Sequence, residues 1–312
     1  MEGVYPLDGI LVLNKPKGFT SHDCVFKVRK ILKTKKVGHT GTLDPEVTGV
    51  LPICIGKATK LVEFLTAEQK TYIGEVTLGF STTTEDQTGE TVEEKEVGEP
   101  ISKIEIERVL QQLTGEIEQT PPMFSAVKIN GKKLYEYARE GKVIDRPSRK
   151  ITIYDLFLTS DIKHENGTLK FSFEVSCSKG TYVRTLAVQI GELLGYPAHM
   201  SQLIRVASGN FKIDQAITLD ELEELMTDGN VESKLVPMEK ALNSLPKLAI
   251  SDTVAEKVQN GAVLPIPEDL EWDAEYFSIF HDDSCLAIYM KHPTKPGMMK
   301  PKKVFHGQDS DF

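Results

Sequence analysis

The glycine- and threonine-rich loop GHTGTLDPEVTG, at residues 38–49, is the feature that most constrains how this chain can fold. Its three glycines and three threonines permit sharp backbone turns, and Pro45 restricts the preceding Asp44 to an extended conformation. A basic periodic segment precedes the loop, and the apolar run VLPICIG follows it. The sequence therefore predicts a carboxylate held on a stiff turn between a helix and a buried strand.

The residues of this loop allow two other interpretations. An aspartate before a proline is often only an Asx-turn residue, and this interpretation of Asp44 stays open at the level of the residues. A phosphate-binding loop requires the pattern G-x-x-x-x-G-K-[ST]. Here six residues separate Gly49 from Gly56, and Ala58 stands where a hydroxyl is required, so a phosphate-binding loop is not expected.

Apolar periodicity predicts alternating strands and helices in the larger part of the chain. A strand in GILVLNKP enters a Pro-Gly turn at 16–18, and a helix with Ser21 as its N-cap follows. One face of that helix is apolar and the other basic, so it could pack on a core and meet phosphates. Further helices are predicted at 58–67, at 102–113 and in GTYVRTLAVQIGELLG, and further strands in VLPICIG, TYIGEVTLG, ITIYDLFLTS and LKFSFEVSCS.

Two segments differ from this pattern. The segment 119–153 is rich in Pro, Lys, Tyr and Gly, which favours a mobile basic insertion whose rings could stack on RNA bases. The alternative is a surface hairpin and short helix without a role. From residue 245 the chain changes to short strand-like runs, FSIF and CLAIYM, with a lysine-rich tail. We therefore expect a main domain at 1–244 and a small β-rich module at 245–312.

Charge is distributed unevenly along the chain. The formal net charge of −9 is unfavourable for a protein that binds a polyanion. However, residues 14–60 carry ten basic side chains and three acidic ones, and this segment could hold RNA. Acidic side chains concentrate in 85–99, 220–232 and 268–283, which we expect to face away from any nucleic acid.

Several classes of protein are disfavoured. No apolar run approaches the roughly 20 residues that cross a bilayer, and the N-terminus has no export signal, so a cytoplasmic protein is expected. The four cysteines lie far apart without a C-x-x-C, which predicts buried thiols rather than disulfides or zinc ligands. The motifs G-x-S-x-G, H-E-x-x-H and G-x-G-x-x-G after a strand are missing too. A carboxylate mechanism without a metal or cofactor remains, with an arginine to hold the aspartate ionised and rings to hold a base.

Five segments, in this order, resemble the TruB family of tRNA pseudouridine synthases. They are GILVLNKPKGFTSHD, KVGHTGTLDPEVTGVLPICIGKATK, KTYIGEVTLG, PPMFSAVKINGKKLYEYAREG and CSKGTYVRTLAVQIGELLG. The resemblance implies an isomerase that makes pseudouridine at position 55 in the T arm of tRNA. It implies an α+β fold, with a mixed, mostly antiparallel central sheet flanked by helices and a small C-terminal PUA-like RNA-binding domain. It also implies that Asp44 is the catalytic aspartate and that no metal or cofactor is needed.

The same resemblance implies roles for residues around the target base. His39 would pack on loop nucleotides and help evert the uridine, and Tyr72 would stack on its base. Tyr182 and Arg184 would line the pocket, and the guanidinium would form a two-pronged ion pair with Asp44.

Three further positions complete the predicted site. Leu203 would close the apolar wall of the pocket. Lys15, with Pro16, matches a block that supports the active-site loop. Lys60 matches a pocket-proximal lysine. In the C-terminal module the match is confined to KPKKVF at residues 300–305.

Two alternatives to a tRNA pseudouridine synthase acting alone, as a monomer, stay open. One is a non-catalytic RNA chaperone that remodels the tRNA elbow with the same surface. The other is an RNA-guided synthase subunit of the archaeal or eukaryotic kind, which requires partner proteins. The sequence does not decide whether Asp44 attacks C1′ of the sugar or C6 of the base, or removes a proton to give a glycal.

Overall fold

The protein is described by a computed structural model over residues 7–267, 270 and 274–305. Eight α-helices are described in this part of the chain, together with three short 3₁₀ turns at Gly56–Leu61, Ile213–Gln215 and Val231–Lys234. In chain order the helices are α1 (Ser21–Ile31), α2 (Val62–Ala67), α3 (Lys103–Gln112), α4 (Leu134–Arg139), α5 (Val183–Leu194), α6 (Leu219–Thr227), α7 (Met238–Ala241) and α8 (Asp252–Gln259). Within these residues no helix combines the length and the apolar character that crossing a bilayer demands.

The strands of the described residues form two large sheets and two small hairpins. Those of the N-terminal part are β1 (Gly9–Lys15), β2 (Val37–His39), β3 (Thr48–Ile55), β4 (Lys70–Leu78), β5 (Phe80–Thr82), β6 (Thr91–Glu94), β7 (Gly115–Gln119), β8 (Lys128–Ile129), β9 (Lys132–Lys133), β10 (Arg149–Leu158), β11 (Lys163–Glu165), β12 (Thr168–Cys177), β13 (Ala198–Ser208), β14 (Phe211–Lys212) and β15 (Leu235–Val236). Those of the C-terminal part are β16 (Lys247–Ala249), β17 (Leu264–Pro265), β18 (Tyr276–His281), β19 (Ser284–Lys291) and β20 (Met298–Val304).

The larger sheet confirms the predicted fold class. Its strand order is β15-β1-β3-β13-β4-β12-β10-β7, with β2, β11 and β14 added to β3, β12 and β13. Neighbouring strands run antiparallel except β3 and β13, which pair in parallel where Ile204 meets Thr48. The sheet is therefore mixed but mostly antiparallel, and its longest strand, β13, pairs with β4 at its centre.

Helices cover this sheet because its strands alternate in side-chain direction. Leu11 and Leu13 of β1 pack with Val25 and Val28 of α1, whereas Ile10 and Val12 belong to a different core. On another part of the sheet, α3 packs on β10 and α5 packs on β13, and both helices share the largest core cluster with the apolar side chains of β12. Period-two strands and period-3.6 helices thus share cores as the sequence pattern predicts.

Helix α1 begins one residue earlier than the sequence analysis predicted. Thr20, not Ser21, is the N-cap: its side chain accepts a hydrogen bond from the backbone N–H of Asp23, whose carboxylate accepts from the backbone N–H of Thr20. This reciprocal capping box needs an acid three residues after the cap, a position that Asp23 fills only for Thr20. The hydroxyl of Ser21 accepts instead from the backbone N–H of Leu43, 2.9 Å away. Ser21 therefore ties α1 to the loop that carries Asp44.

The C-terminal strands form a separate five-stranded sheet in the order β16-β18-β19-β20-β17. The expected boundary at 244–245 falls between the last strand of the large sheet and the first of this one. The two sheets share a hydrophobic core, because Ile10 and Cys54 pack in the same cluster as Phe280 and Phe305. The small sheet is therefore docked on the back of β1 and β3.

The segment predicted as an insertion contains the β8–β9 hairpin and the one-and-a-half-turn helix α4. Leu134 is fully buried and anchors this segment. Its basic residues stay near its rings: the Lys132 ammonium lies 4.8 Å from the centre of the Tyr137 ring. All four cysteines are buried and free, as predicted.

Candidate active site

A cleft of about 320 Å³ lies where the Asp44 loop, the start of β4, the insertion, the turn before α5 and β13 meet. This volume falls within the ~300–1,000 Å³ typical of small-molecule sites. The lining residues that the argument uses are Asp44, Lys70, Tyr72, Lys179, Tyr182, Arg184, Leu203 and Arg205. Five of the eight residues predicted for the site therefore line this cleft, and a sixth, Lys15, lies directly beneath it.

Asp44 is held in the cleft by its backbone neighbours. The carbonyl of Pro45 accepts from the ammonium of Lys15 at 3.1 Å and from the backbone N–H of Gly18 at 2.8 Å. Lys15 is fully buried and also donates to the carbonyls of Pro16 and Phe19. Burial lowers the pKa of Lys15, and its carbonyl partners stabilise the ammonium. The loop is thus clamped immediately after Asp44 by Lys15 and Gly18.

Asp44 forms an ion pair with Arg184, whose Nη2 lies 3.0 Å from its Oδ2. The arginine side chain is 6% exposed and the aspartate 44%, so the carboxylate stays open to the cleft while its partner is enclosed. Arg184 also donates from Nη1 to the Thr84 carbonyl and from Nη2 to the Phe124 carbonyl, both at 3.0 Å. The guanidinium is therefore shared between one carboxylate and two carbonyls, and the predicted two-pronged pairing with Asp44 is not the arrangement found. The carbonyls of Thr84, after β5, and of Phe124, in the insertion, each accept from a nitrogen that a two-pronged pair would direct at Asp44.

Tyr72 and Leu203 reach the cleft from adjacent strands. In the register of β4 and β13, Leu203 is opposite Gly74 and Arg205 is opposite Tyr72. Both Tyr72 and Leu203 are half-buried and line the cleft. Burial raises the pKa of the Tyr72 hydroxyl, which keeps the ring neutral. A flat ring and an apolar side chain thus flank the carboxylate.

Tyr182 is the residue before α5, and it is fixed from both sides of its peptide. Gln119 accepts from its N–H at 2.7 Å and donates to its carbonyl at 3.1 Å. The guanidinium of Arg149 lies 5.0 Å from the centre of its ring. Since α5 starts at Val183, this clamp also sets the position of Arg184.

The structure does not bring His39 and Lys60 to the cleft. His39 is on β2, and its Nδ1 accepts from the backbone N–H of Gly41 at 3.3 Å, so it contacts the base of the loop. Burial lowers the pKa of His39. Lys60, on the 3₁₀ turn before α2, donates to the carbonyl of Val304 at 3.2 Å. Lys60 thus connects the 3₁₀ turn to strand β20 of the small sheet and lies away from the cleft.

Two buried cations of the cleft were missed by the sequence analysis. Lys70 is 6% exposed and donates to the carbonyls of Thr66 and Glu68, each at 2.6 Å. Burial lowers the pKa of its ammonium to about 8. Arg205 is fully buried, and donates to the carbonyls of Val50 and Gly41. Lys70 stands two residues before Tyr72 in KTYIGEVTLG, and Arg205 stands two residues after Leu203. A cation next to apolar strand residues was the available signal.

No metal-binding cluster is present in the part of the chain that is described: no three His, Cys, Asp or Glu side chains are grouped suitably. The arrangement instead offers one accessible carboxylate, a buried guanidinium that orients it, and flat or apolar walls. Such a cleft can hold a planar, uncharged ring against an anionic oxygen.

Comparison with known proteins places this geometry in a family. Residues 29–183 match the N-terminal domain of TruB family pseudouridylate synthases, and residues 184–243 match the C-terminal domain of tRNA pseudouridylate synthase B. The chain is 64% identical over 301 residues to tRNA pseudouridine synthase B of Bacillus pumilus, covering 96% of this chain and 97% of that protein. It is 62% identical, with the same coverage, to tRNA pseudouridine synthase B of Bacillus subtilis.

Solved structures agree with this assignment. A chain in the crystal structure of a Cbf5-Nop10-Gar1 complex superposes with a TM-score of 0.73 at 31% identity, covering 96% of this chain and 86% of that one. A chain in an H/ACA ribonucleoprotein bound to a substrate RNA containing 2′-deoxyuridine superposes with a TM-score of 0.72 at 28% identity, with the same coverage. The sheet order, the cleft and these likenesses together show that the chain belongs to the TruB family of pseudouridylate synthases, which are isomerases.

Proposed function

We propose that this protein isomerises uridine 55 in the T arm of tRNA to pseudouridine in the cytosol, with Asp44 as the catalytic carboxylate. The observation that carries the proposal is the ion pair between the accessible Asp44 and the enclosed Arg184 at the floor of the cleft. The relatives of similar length are named tRNA pseudouridine synthase B, which supports tRNA as the substrate.

The chemistry needs little more than these groups. The N1–C1′ glycosidic bond breaks, the uracil turns within the cleft, and C5 bonds to C1′ while the C5 proton is lost and N1 ends protonated. A carboxylate can act as the nucleophile or base for these steps, provided that the detached base cannot escape. Arg184 keeps the carboxylate oriented, and its two carbonyl contacts keep the arginine itself in place. Lys15 holds the backbone on the other side of Asp44.

Base flipping explains the walls of the cleft. Uridine 55 is inside a folded arm, and extruding it costs a few kcal/mol. Stacking on an aromatic ring returns ~1–3 kcal/mol per base, which the half-buried ring of Tyr72 can supply. Leu203 closes the apolar side, and Tyr182 flanks Arg184. These three side chains bind the everted uracil.

RNA outside the cleft is bound by basic surface segments. The basic face of α1, the insertion with its lysine–tyrosine pairs and the lysine-rich strand β20 contact tRNA phosphates and loop bases. The C-terminal sheet acts as a PUA-like RNA-binding domain. His39, at the base of the Asp44 loop, packs on nucleotides beside the target.

The purified chain tests the proposal on two RNAs. An unmodified tRNA transcript and a bare T-arm stem-loop are incubated with the protein, and pseudouridine is mapped by mass spectrometry. The expected product is at position 55 in both, and a transcript with cytidine at position 55 stays unmodified. Product at another position would contradict the assignment. A requirement for added proteins or guide RNA would favour the RNA-guided alternative that the likeness to the Cbf5 complex raises.

A further inference from the structure

A second groove of about 650 Å³ adjoins the cleft and is not used by the mechanism above. It lies between the end of α2, strand β10 and the start of the small sheet, and Lys179 lines both it and the cleft. Thr66 lines the cleft while its neighbours Leu65 and Ala67 line the groove. The two cavities are thus separated by the thickness of one chain segment and joined at Lys179.

The groove is walled by aromatic rings. At its back, Phe64 and Tyr276 pack edge to face, with ring centres 5.2 Å apart. At its side stands Tyr154, which is 47% exposed. An exposed ring facing a ring-lined groove offers a flat stacking surface for a base.

Tyr154, which lines the groove, stands at a β-bulge. In the pairing of β10 with β12, Ile153 is opposite Cys177 and Asp155 is opposite Ser176, so Tyr154 is the extra residue. A bulge breaks the alternation of side chains and redirects the extra residue, and bulges are over-represented beside active sites. The bulge thus coincides with the aromatic ring of Tyr154 in the groove beside the cleft.

Charge decides which part of a nucleotide enters the groove. Glu63 and Glu68 line it, with Glu63 within 4 Å of Lys302 and Lys303 and Glu68 bonded to the hydroxyl of Ser244. These carboxylates exclude a phosphate from the interior but admit a neutral base. The exposed Lys179 at the junction is placed to neutralise a phosphate between two nucleotides.

We infer that this groove binds the base of an unpaired nucleotide adjacent to the one in the cleft, stacked on Tyr154, with the connecting phosphate at Lys179. This inference rests on the proposed function, since it assumes that the cleft holds an everted nucleotide of an RNA loop. It adds a second base subsite, which would make recognition depend on a nucleotide that does not react.

The experiment is a coupling measurement between Tyr154 and the RNA. Binding and single-turnover rates are measured for T-arm stem-loops that carry an abasic residue at each unpaired position flanking the target in turn. The variants are Tyr154→Ala, Tyr154→Phe and, as matched control, Phe157→Ala, whose ring is 48% exposed on the same strand but lines neither cavity.

For the unsubstituted protein, one abasic position is expected to weaken binding about tenfold, because base–aromatic stacking is worth ~1–3 kcal/mol. Tyr154→Ala should weaken binding of the intact RNA by a similar factor and be insensitive to that abasic position. Tyr154→Phe, which keeps the ring, and Phe157→Ala should both behave like the unsubstituted protein.

The inference would be overturned if Tyr154→Ala bound the intact RNA as tightly as the unsubstituted protein does. It would also be overturned if the abasic residue weakened binding by the same factor in Tyr154→Ala as in the unsubstituted protein. If the unsubstituted protein binds these RNAs but forms no pseudouridine, the proposed function fails. The binding measurements then still test whether the groove binds a base. If it binds none of them, the groove proposal fails as well.

Discussion

Replacing Arg184 by lysine is expected to lower both stability and turnover, for separable reasons. The guanidinium donates to the carbonyls of Thr84 and Phe124, each at 3.0 Å, and is 6% exposed on its side chain. Hydrogen bonds of a charged donor contribute ~1.5–3 kcal/mol each, and a lysine ammonium can keep at most one of these two from a single position. The free energy of unfolding should therefore fall by about 1.5–3 kcal/mol in urea titration. The contact with Asp44 adds less than about 1 kcal/mol to this loss, because that carboxylate is 44% exposed.

Turnover reports on the contact between the same guanidinium and Asp44. Without the planar group, Asp44 loses its fixed orientation, and a misplacement of about 1 Å costs on the order of 100-fold in rate. Pseudouridine formation on a T-arm stem-loop should fall by that order with Arg184→Lys. The control Arg108→Lys, on the exposed face of α3, should change neither quantity. Full turnover and a stability within 1 kcal/mol of the unsubstituted protein for Arg184→Lys would refute the reasoning.

Three further changes test the framework of the site. Lys15→Met removes a buried ammonium with three carbonyl contacts, so unfolding in urea should show a loss of about 3 kcal/mol and turnover should fall with it; equal stability would contradict the clamp. Lys70 has its pKa lowered from 10.5 to about 8, so the unfolded chain holds more protons in that window and stability rises with pH through it. Between pH 8 and 10.5 the free energy of unfolding of the unsubstituted protein should rise by about 3 kcal/mol relative to that of Lys70→Met. Parallel curves of unfolding free energy against pH for the two proteins would contradict this. At Gly49 the φ is +104° and an added Cβ would lie 2.2 Å from the carbonyl oxygen of Arg205, so Gly49→Ala should cost about 3 kcal/mol or more in a thermal melt, unlike the exposed Gly98→Ala.

Much of the fold followed from local patterns. The strands β1, β3, β4, β10 and β12 and the helices α3 and α5 appear where the apolar patterns predict them, because their apolar residues are buried in the core clusters of the sheet. Helix α2 begins later than predicted, since Gly56–Leu61 forms a 3₁₀ turn first. The acidic run at 220–232 was expected only to face away from nucleic acid. Most of α6 falls in this run, and this helix buries Leu222. Part of the acidic run at 268–283 lies outside the described residues.

The central strand β13 shows why the rest could not be predicted. Its sequence AHMSQLIRVAS alternates poorly because it buries polar residues, among them His199, Ser201 and Arg205. Each has a partner that is distant in sequence: the carbonyl of Phe80 for His199 and the carbonyl of Val50 for Arg205. Burial of a polar side chain depends on such partners, which no local window contains. The same holds for the site, where resemblance indicated Asp44 and Arg184 but only the fold revealed the carbonyls that share the guanidinium.

Turnover of Asp44→Asn on a T-arm stem-loop, measured beside its RNA affinity, tests the central claim most directly. Glu46→Gln is the matched control. Glu46 lies two residues after Asp44 and forms an exposed ion pair with Lys17, so the change removes the same charge outside the cleft. We expect Asp44→Asn to lose at least about 1,000-fold in turnover while its Kd stays within about threefold, and Glu46→Gln to keep both. Turnover by Asp44→Asn at the rate of the Glu46→Gln control would contradict the account.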